Sequence, residues 1–446
     1  MKEKVEKYLN SHYYLLTICG VSLLIWSFKY YVSVSQILPV TFIALTPLAL
    51  IWFLLCLYFD NTIYTIPIAL ALLFTIGATN LDLNTIHHIL WAVAPIVLFI
   101  GGIITHLIKH KIKFRLNRLG IGLSLAAVSF LIPLIYTPFS GNALVLSLLG
   151  TLYLMIYLFY SNTIKGNQLP FLFKTLTYIA CLLASQLTII LAHFIFTFPG
   201  GMREGFNQLS NLLDVNLPGW GNINDLTIHL VLYSAALLYQ LRTKPKDLSF
   251  SRASMFTIIL VGLFMIIISI KNRDKRQLTY LYCFLGVAVL FLLILLPFIS
   301  HLLNDFSQFF DKGWNFLLSN RPEIWKHGFA VFKKYPWFGA GWLIDSHFGE
   351  FQGQITVYHS TIFQVLATGG IFGMLVLLYH LFEVSLLFKN SKSKVAKWSI
   401  LITYLITQIH GLMDNTQYMI FYTTSTLIMF SILERADDIT THDYLI

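Results

Sequence analysis

The sequence predicts an all-α protein, a polytopic transmembrane helical bundle of about twelve spans with a large extracytoplasmic loop carrying amphipathic helices. Three observations lead there. Of 446 residues, 57% are apolar and only 11% are charged, and the mean hydropathy of +0.72 is far outside the usual range of soluble globular chains. Apolar runs of about 20 residues, enough to cross a hydrocarbon core of about 30 Å, recur along the chain. The polar residues are gathered in two stretches, 198–225 and 300–360.

The first element, "MKEKVEKYLNSHYY", is charged and leads into an apolar run without a small-residue cleavage site, so it is expected to stay on the chain as the approach to a first span. The runs then fall at 13–32, 36–59, 62–80, 87–108, 119–138, 143–160, 171–198, 226–241, 253–270, 279–299, 361–388, 398–414 and 416–433. The basic connections "KHKIKFRLNR" (109–118), "KNRDKR" (271–276) and "KNSKSKVAK" (389–397) mark the cytoplasmic side. These markers agree only if one run before residue 300 fails to cross. The candidate is 226–241, which is short, has polar flanks and could be re-entrant or buried. Without it the chain has about nine crossings, an outside loop and three more crossings that return the C-terminus inside. The organisation expected is therefore 1–299, an N-terminal transmembrane bundle; 300–360, the large outer loop; and 361–446, the C-terminal helices with a cytoplasmic tail.

The net charge of +10 would suggest nucleic acid in a soluble protein. Here the Lys and Arg residues sit in short connections where they orient spans, and no nucleic-acid partner is expected. Cys19, Cys56, Cys181 and Cys283 stand singly in apolar runs, without the spacing of a zinc or cluster site, and read as packing residues. No Asp-x-Asp pair or carboxylate cluster appears in the outer stretches, so neither a metal nor a cofactor is called for. No matching pair of halves with interrupted helices points to a secondary transporter.

Chemistry concentrates in "SNRPEIWKHGFAVFKKYPWFGAGW" (319–342) and "VYHSTIFQVLATGGIFG" (357–373). The first stretch predicts a surface helix with Ser319 or Asn320 as N-cap, Pro322 in its first turn and Pro336 at its end. Trp325, Phe329 and Phe332 are expected to form its apolar face. Arg321 at the helix start adds a guanidinium to backbone N–H groups that already favour an anion, which makes a phosphate-sized positive site. "PWFGAGW" carries two glycines suited to a tight turn or a close backbone approach. His359 opens the next span at the membrane boundary. Asp345, His347 and Glu350 are nearby but unpatterned, as expected of solvated side chains.

The order of these pieces resembles the O-antigen ligase and polymerase family of bacterial envelope proteins. That pattern has an Arg with a Trp four residues later, a Pro-x-x-Gly-x-Gly turn, a His-Asn pair and a Gly-(Ile/Leu)-x-Gly in the following helix. Arg321, Trp325, Pro336, Gly339, Gly341, His359, Gly370 and Gly373 fill it, with a departure at Ser360, where the family commonly has Asn. "GWGNIND" (219–225), "SFSRAS" (249–254) and "QIHGLMDN" (408–415) are similar to further family motifs. The resemblance covers most of 215–430.

It implies a membrane glycosyltransferase that moves a glycan from polyprenyl (undecaprenyl) diphosphate to a sugar hydroxyl of a lipid-linked or glycan acceptor, on the outer face of a bacterial cell membrane. It implies Arg321 and His359 as catalytic residues, and Arg252, Arg321, Trp325, Gly339 and Gly341 as substrate-binding residues. Two arginines can bind diphosphate oxygens bidentately and stabilise the departing charge. An imidazole at the outer face suits a general base for the acceptor hydroxyl. The alternative is a transporter or flippase of the same lipid-linked sugars, which would place charged residues deep within spans.

Overall fold

A computed structural model of the chain describes residues 2–28, 34–76, 86–137, 141–197, 199, 223–243, 321–342, 350–351, 354–355, 358–412 and 414–442. Within them the protein is all-helical apart from a minimal hairpin, Glu350–Phe351 paired antiparallel with Gln354–Ile355. The helices are α1 (Lys2–Leu9), α2 (His12–Ser27), α3 (Val34–Tyr58), α4 (Ile66–Ile76), α5 (Ile86–Lys109), α6 (Gly120–Leu131), α7 (Gly141–Thr163) and α8 (Leu169–Thr197). They continue with α9 (Ile223–Tyr233), α10 (Ala235–Thr243), α11 (Arg321–Lys334), α12 (Thr361–Asn390), α13 (Lys394–His410) and α14 (Ile420–His442). Each described helix apart from α1 and α11 lies on an apolar run marked in the sequence; the runs 253–270 and 279–299 lie outside the described residues.

Among the described residues, five helices are long and apolar enough to cross a membrane, or six if the bent pair α1 and α2 counts as one span. Three apolar helices are shorter: Thr62–Ile76, Gly120–Ile135 and Leu226–Gln240. Pro133 shortens the second by tightening its last turn into a 3₁₀ segment, Ile132–Ile135. The suspect run 226–241 is helical but broken at Ser234, whose N–H reaches both Leu230 O (3.0 Å) and Val231 O (3.2 Å). It packs on α8 and α13 and buries Tyr233 and His229.

Hydrogen bonds between connections show which helix ends lie together. At one end, Lys109 Nζ donates to Leu57 O (3.0 Å), Asn61 Nδ2 to Lys165 O (3.0 Å) and Asn162 Nδ2 to Arg115 O (3.1 Å). Most of the described Lys and Arg residues are gathered at this end. At the other end, Tyr136 Oη donates to Gly339 O and Thr361 N to Gly411 O (2.8 Å).

Helix α6 runs between the two ends and is tied down at both. A helix start in a membrane has N–H groups that water cannot reach, so side chains must supply acceptors. Arg118 N donates to Glu434 Oε1 (3.0 Å), Leu119 N to Tyr157 Oη (3.0 Å) and Gly122 N to Glu383 Oε2 (3.0 Å). Tyr157 Oη in turn donates to Glu434 Oε2 at 2.6 Å. These partners come from α14, α7 and α12, so buried carboxylates hold α6 where its far end meets the 336–342 turn. Cys19 and Cys56 are buried, as expected of packing residues, whereas Cys181 is exposed on the bundle.

Candidate functional site

The site is assembled from α11, the turn after it, the start of α12 and the connection between α13 and α14. Helix α11 is described from Arg321 and, as expected, gives way to a turn at Tyr335 and Pro336, while the expected N-caps Ser319 and Asn320 lie outside the described residues. Ile324, Gly328 and Val331 point inward, while Phe329 is exposed, stacked on Phe332 (5.7 Å) with Lys333 Nζ 5.0 Å above its ring. The helix packs against Tyr358 and Ala367 in a small cluster. The stripe that faces the protein lies one residue before the aromatic one, which leaves Phe329 exposed.

The turn Pro336–Trp342 is bound into a break in α12. Gly370 has φ +63° inside that helix, which interrupts its own hydrogen-bond ladder. The turn supplies the missing partners. Ala340 N donates to Ala367 O (2.8 Å) and Gly341 N to Thr368 O (2.9 Å), while Ile371 N reaches Pro336 O (2.8 Å) and Phe372 N reaches Trp337 O (3.0 Å). Backbone meets backbone, so a side chain has no room: a Cβ at Gly339 would stand 2.2 Å from the Thr368 carbonyl carbon, and one at Gly370 2.6 Å from that of Trp337. The close approach read from the glycines is an approach of the chain to itself. The amide hydrogens of Gly339 and Gly341 are used by Tyr335 O and Thr368 O. Trp342, stacked on Phe130 at 5.3 Å, and Tyr136, on Gly339 O, fasten the turn to α6.

Beside this interlock, three charged side chains meet. Asp414 Oδ1 lies 3.1 Å from His359 Nδ1, and its Oδ2 lies 3.5 Å from Arg321 Nη2. The carboxylate is almost buried, at 7% exposure, whereas His359 keeps 28% and Arg321 19%. Burial of Asp414 raises its pKa, but the His359 hydrogen bond and charge, the Asn415 N–H and Arg321 together outweigh it and hold the pKa below the usual carboxylate value. An ionised Asp414 accepting from Nδ1–H leaves Nε2 as the basic nitrogen of the ring.

His359 adopts φ +43°, a left-handed conformation that costs a non-glycine residue about 1–3 kcal/mol. Its neighbours enforce it. Trp325 Nε1 donates to His359 O (3.4 Å), Tyr358 N to Gln364 Oε1 (3.0 Å) and Ser360 N to Asn415 Oδ1 (3.1 Å), while Asn415 Nδ2 also bonds Gln364 Oε1 (3.1 Å). The Trp325 indole is stacked on Phe363 at 5.3 Å. An amide thus reaches the Ser360 backbone from residue 415, although residue 360 itself is not Asn.

Of the residues singled out in the sequence, the structure brings together Arg321, Trp325 and His359, with Gly339 and Gly341 in the adjoining interlock. Arg252, Asp345 and His347 lie outside the described residues; Glu350 stands in the hairpin, and its side chain is among those not described. Asp414, Asn415 and Gln364 were missed as site residues. The signal for the first two was the polar "DN" ending "QIHGLMDN" between two apolar runs, since a carboxylate at the mouth of spans has to find a partner. Among the described residues, no group of three or more His, Cys, Asp and Glu side chains is placed to hold a metal ion.

Residues 248–378 match a family model described as O-antigen ligase. No curated protein matches the chain. The matched stretch takes in Arg321, Trp325, the interlocked turn and His359, and ends before Asp414. The chain thus carries, at residues 248–378, a stretch similar to an O-antigen ligase family model, together with apolar helices long enough to cross a membrane.

Proposed function

We propose that the protein is a membrane glycosyltransferase of ligase or polymerase type, moving a glycan from polyprenyl diphosphate to a hydroxyl of a lipid-linked or glycan acceptor at the outer face of a bacterial cell membrane. The observation that carries the reading is Asp414 bridging His359 and Arg321 at the mouth of α12. Such a bridge sets a base and a phosphate-binding cation side by side. In the proposed reaction His359 Nε2 takes the acceptor proton as the hydroxyl oxygen attacks the anomeric carbon. The bond from that carbon to the phosphate oxygen breaks, and its electron pair leaves with the polyprenyl diphosphate.

Arg321 neutralises the charge growing on that leaving group, which supports the transition state more than the ground state. The resemblance assigns Arg252 the same task. Trp325 is a substrate-binding residue in this reading, and its hydrogen bond to the His359 carbonyl couples substrate contact to the position of the base. Exposed Trp337 and Phe338 suit the interface that the lipid-linked substrates would occupy.

Purified protein incubated with a polyprenyl diphosphate glycan and an acceptor is expected to consume the donor and form an extended product; a ladder of lengths marks a polymerase and a single addition a ligase. Movement of intact donor between leaflets without product would overturn the enzyme reading. Arg321→Ala is expected to lower transfer by about 10²–10³-fold, with little recovery in Arg321→Lys, because an ammonium lacks the bidentate fork. Transfer at the wild-type rate in Arg321→Ala would remove Arg321 from the mechanism.

The face is tested separately. A cysteine placed by Glu350→Cys is expected to react with an impermeant reagent from outside, and one placed by Lys113→Cys only after permeabilisation, since cations cluster at the end holding residue 113. Labelling of both from one side would refute the outer-face assignment.

A further inference from the structure

At the end of the bundle opposite His359, the connection between α5 and α6 carries basic and apolar residues in alternation, Lys111, Ile112, Lys113, Phe114, Arg115 and Leu116. A Schellman turn sets its direction. Lys111 stands at φ +51°, its N–H donates to Ile108 O (3.3 Å), and Ile112 N donates to Leu107 O (3.1 Å). The far half is fastened to α7. Arg115 N donates to Asn162 Oδ1 (2.9 Å), Asn162 Nδ2 returns a bond to Arg115 O (3.1 Å), and Asn117 Nδ2 reaches Ser161 O (3.2 Å). The connection is therefore held in place with side chains outward: Lys111, Lys113 and Arg115 are exposed, and so are Phe114, at 53%, and Leu116, at 66%.

Its level in the membrane follows from its anchors. The apolar spans Ala92–Lys109 and Ala143–Thr163 both end here, so the connection lies where hydrocarbon gives way to headgroups. Exposed Tyr58, which ends the neighbouring span Val40–Tyr58, marks the same boundary, with Lys109 Nζ 5.6 Å above its ring. The charge of this stretch is one-sided. No Asp or Glu stands in the sequence between Asp82 and Glu204. Arg118 meets Glu434 at 3.9 Å and Lys165 meets Asp60 at 2.9 Å, whereas Lys111, Lys113 and Arg115 enter no ion pair among the described residues. Three cations at headgroup level attract phosphates, and two bare apolar side chains among them favour the upper acyl region. Water alone would suit the cations but leave Phe114 and Leu116 hydrated at a cost.

We propose that the 111–116 stretch is a docking surface for anionic phospholipids, with Lys111, Lys113 and Arg115 on headgroup phosphates and Phe114 and Leu116 inserted beside them. Anionic rather than zwitterionic lipid is the fitting partner, because a choline group would set a cation of its own against these three. The surface is separate from the transfer site and its test does not depend on transfer.

The full chain is reconstituted in nanodiscs of phosphatidylcholine mixed with phosphatidylglycerol, and the lipid retained through delipidation is read by native mass spectrometry. Wild-type protein is expected to retain phosphatidylglycerol in preference to phosphatidylcholine. The double variant Lys113→Gln/Arg115→Gln is expected to lower that preference by about tenfold or more. A control, Lys394→Gln/Lys397→Gln, removes the same charge at the start of α13 and is expected to keep the wild-type preference. Phe114→Ser is expected to lower phosphatidylglycerol retention without unfolding the protein, because the side chain is exposed; unchanged retention would refute the insertion. An equal fall in both double variants would show an effect of net charge and overturn the proposal, as would equal retention in wild type and Lys113→Gln/Arg115→Gln. A dimer mass lost in the site variants with lipid retention unchanged would assign the surface to a second copy of the chain and overturn it too.

Discussion

His359→Gln is expected to lower turnover by about 10²–10⁴-fold while donor affinity is nearly unchanged. Glutamine can still hydrogen-bond a hydroxyl, but it cannot take its proton. The donor contacts assigned to the arginines remain in place, so the loss should appear in kcat rather than in donor KM. Asp414→Asn is expected to follow with a loss in the same range, because an amide can present its NH₂ group to Nδ1 and so favour the wrong tautomer. The acid side of the pH profile adds a check. Asp414 has its pKa held below the usual value, so the stability from its ion pairs is fully present above the unfolded value of about 3.9 and is lost as pH falls through the lower folded value. A rate change between about pH 5 and pH 8 therefore cannot come from titration of Asp414. A near-normal rate in His359→Gln would leave the ring as an orienting group and require another base.

Gly370→Ala and Gly339→Ala are expected to damage the fold itself. Each places a Cβ at a positive φ, +63° and +72°, within 2.6 and 2.2 Å of a backbone carbon that belongs to the opposite strand of the interlock. Neither backbone can yield without breaking the hydrogen bonds that bridge the broken helix. Left-handed strain of about 1–3 kcal/mol adds to the clash, so a fall of at least about 1–3 °C in melting temperature is expected in fluorescence-detected unfolding. Gly373→Ala is the contrast, since its nearest neighbour is Ser129 Oγ at 3.2 Å and a hydroxyl can rotate away. Equal melting of Gly370→Ala and wild type would contradict the interlock.

Much of this architecture could be read directly along the chain. Hydrophobic burial in a bilayer depends on run length and composition, so 36–59, 87–108 or 361–388 announce helices wherever their partners lie. Pro336, the glycines and His359 were legible for a related reason, because their roles as helix stop, tight backbone and boundary residue depend on neighbours within a few positions. The inward stripe of α11, Ile324, Gly328 and Val331, was not legible, since it shares the helical period of the aromatic stripe and only the cluster with Tyr358 and Ala367 singles it out.

The sequence by itself thus determined that this is a helical protein of membrane-spanning character with a polar, arginine- and histidine-bearing segment similar to O-antigen ligases. Tertiary structure alone decided how the segment is held. It set the Asp414 carboxylate between His359 and Arg321, and it turned Gly339 and Gly370 into the two sides of one joint. The physical reason is common to both. A buried charge and an interrupted helix each need partners that water cannot provide, and residues dozens of positions away supply them only once the chain has folded.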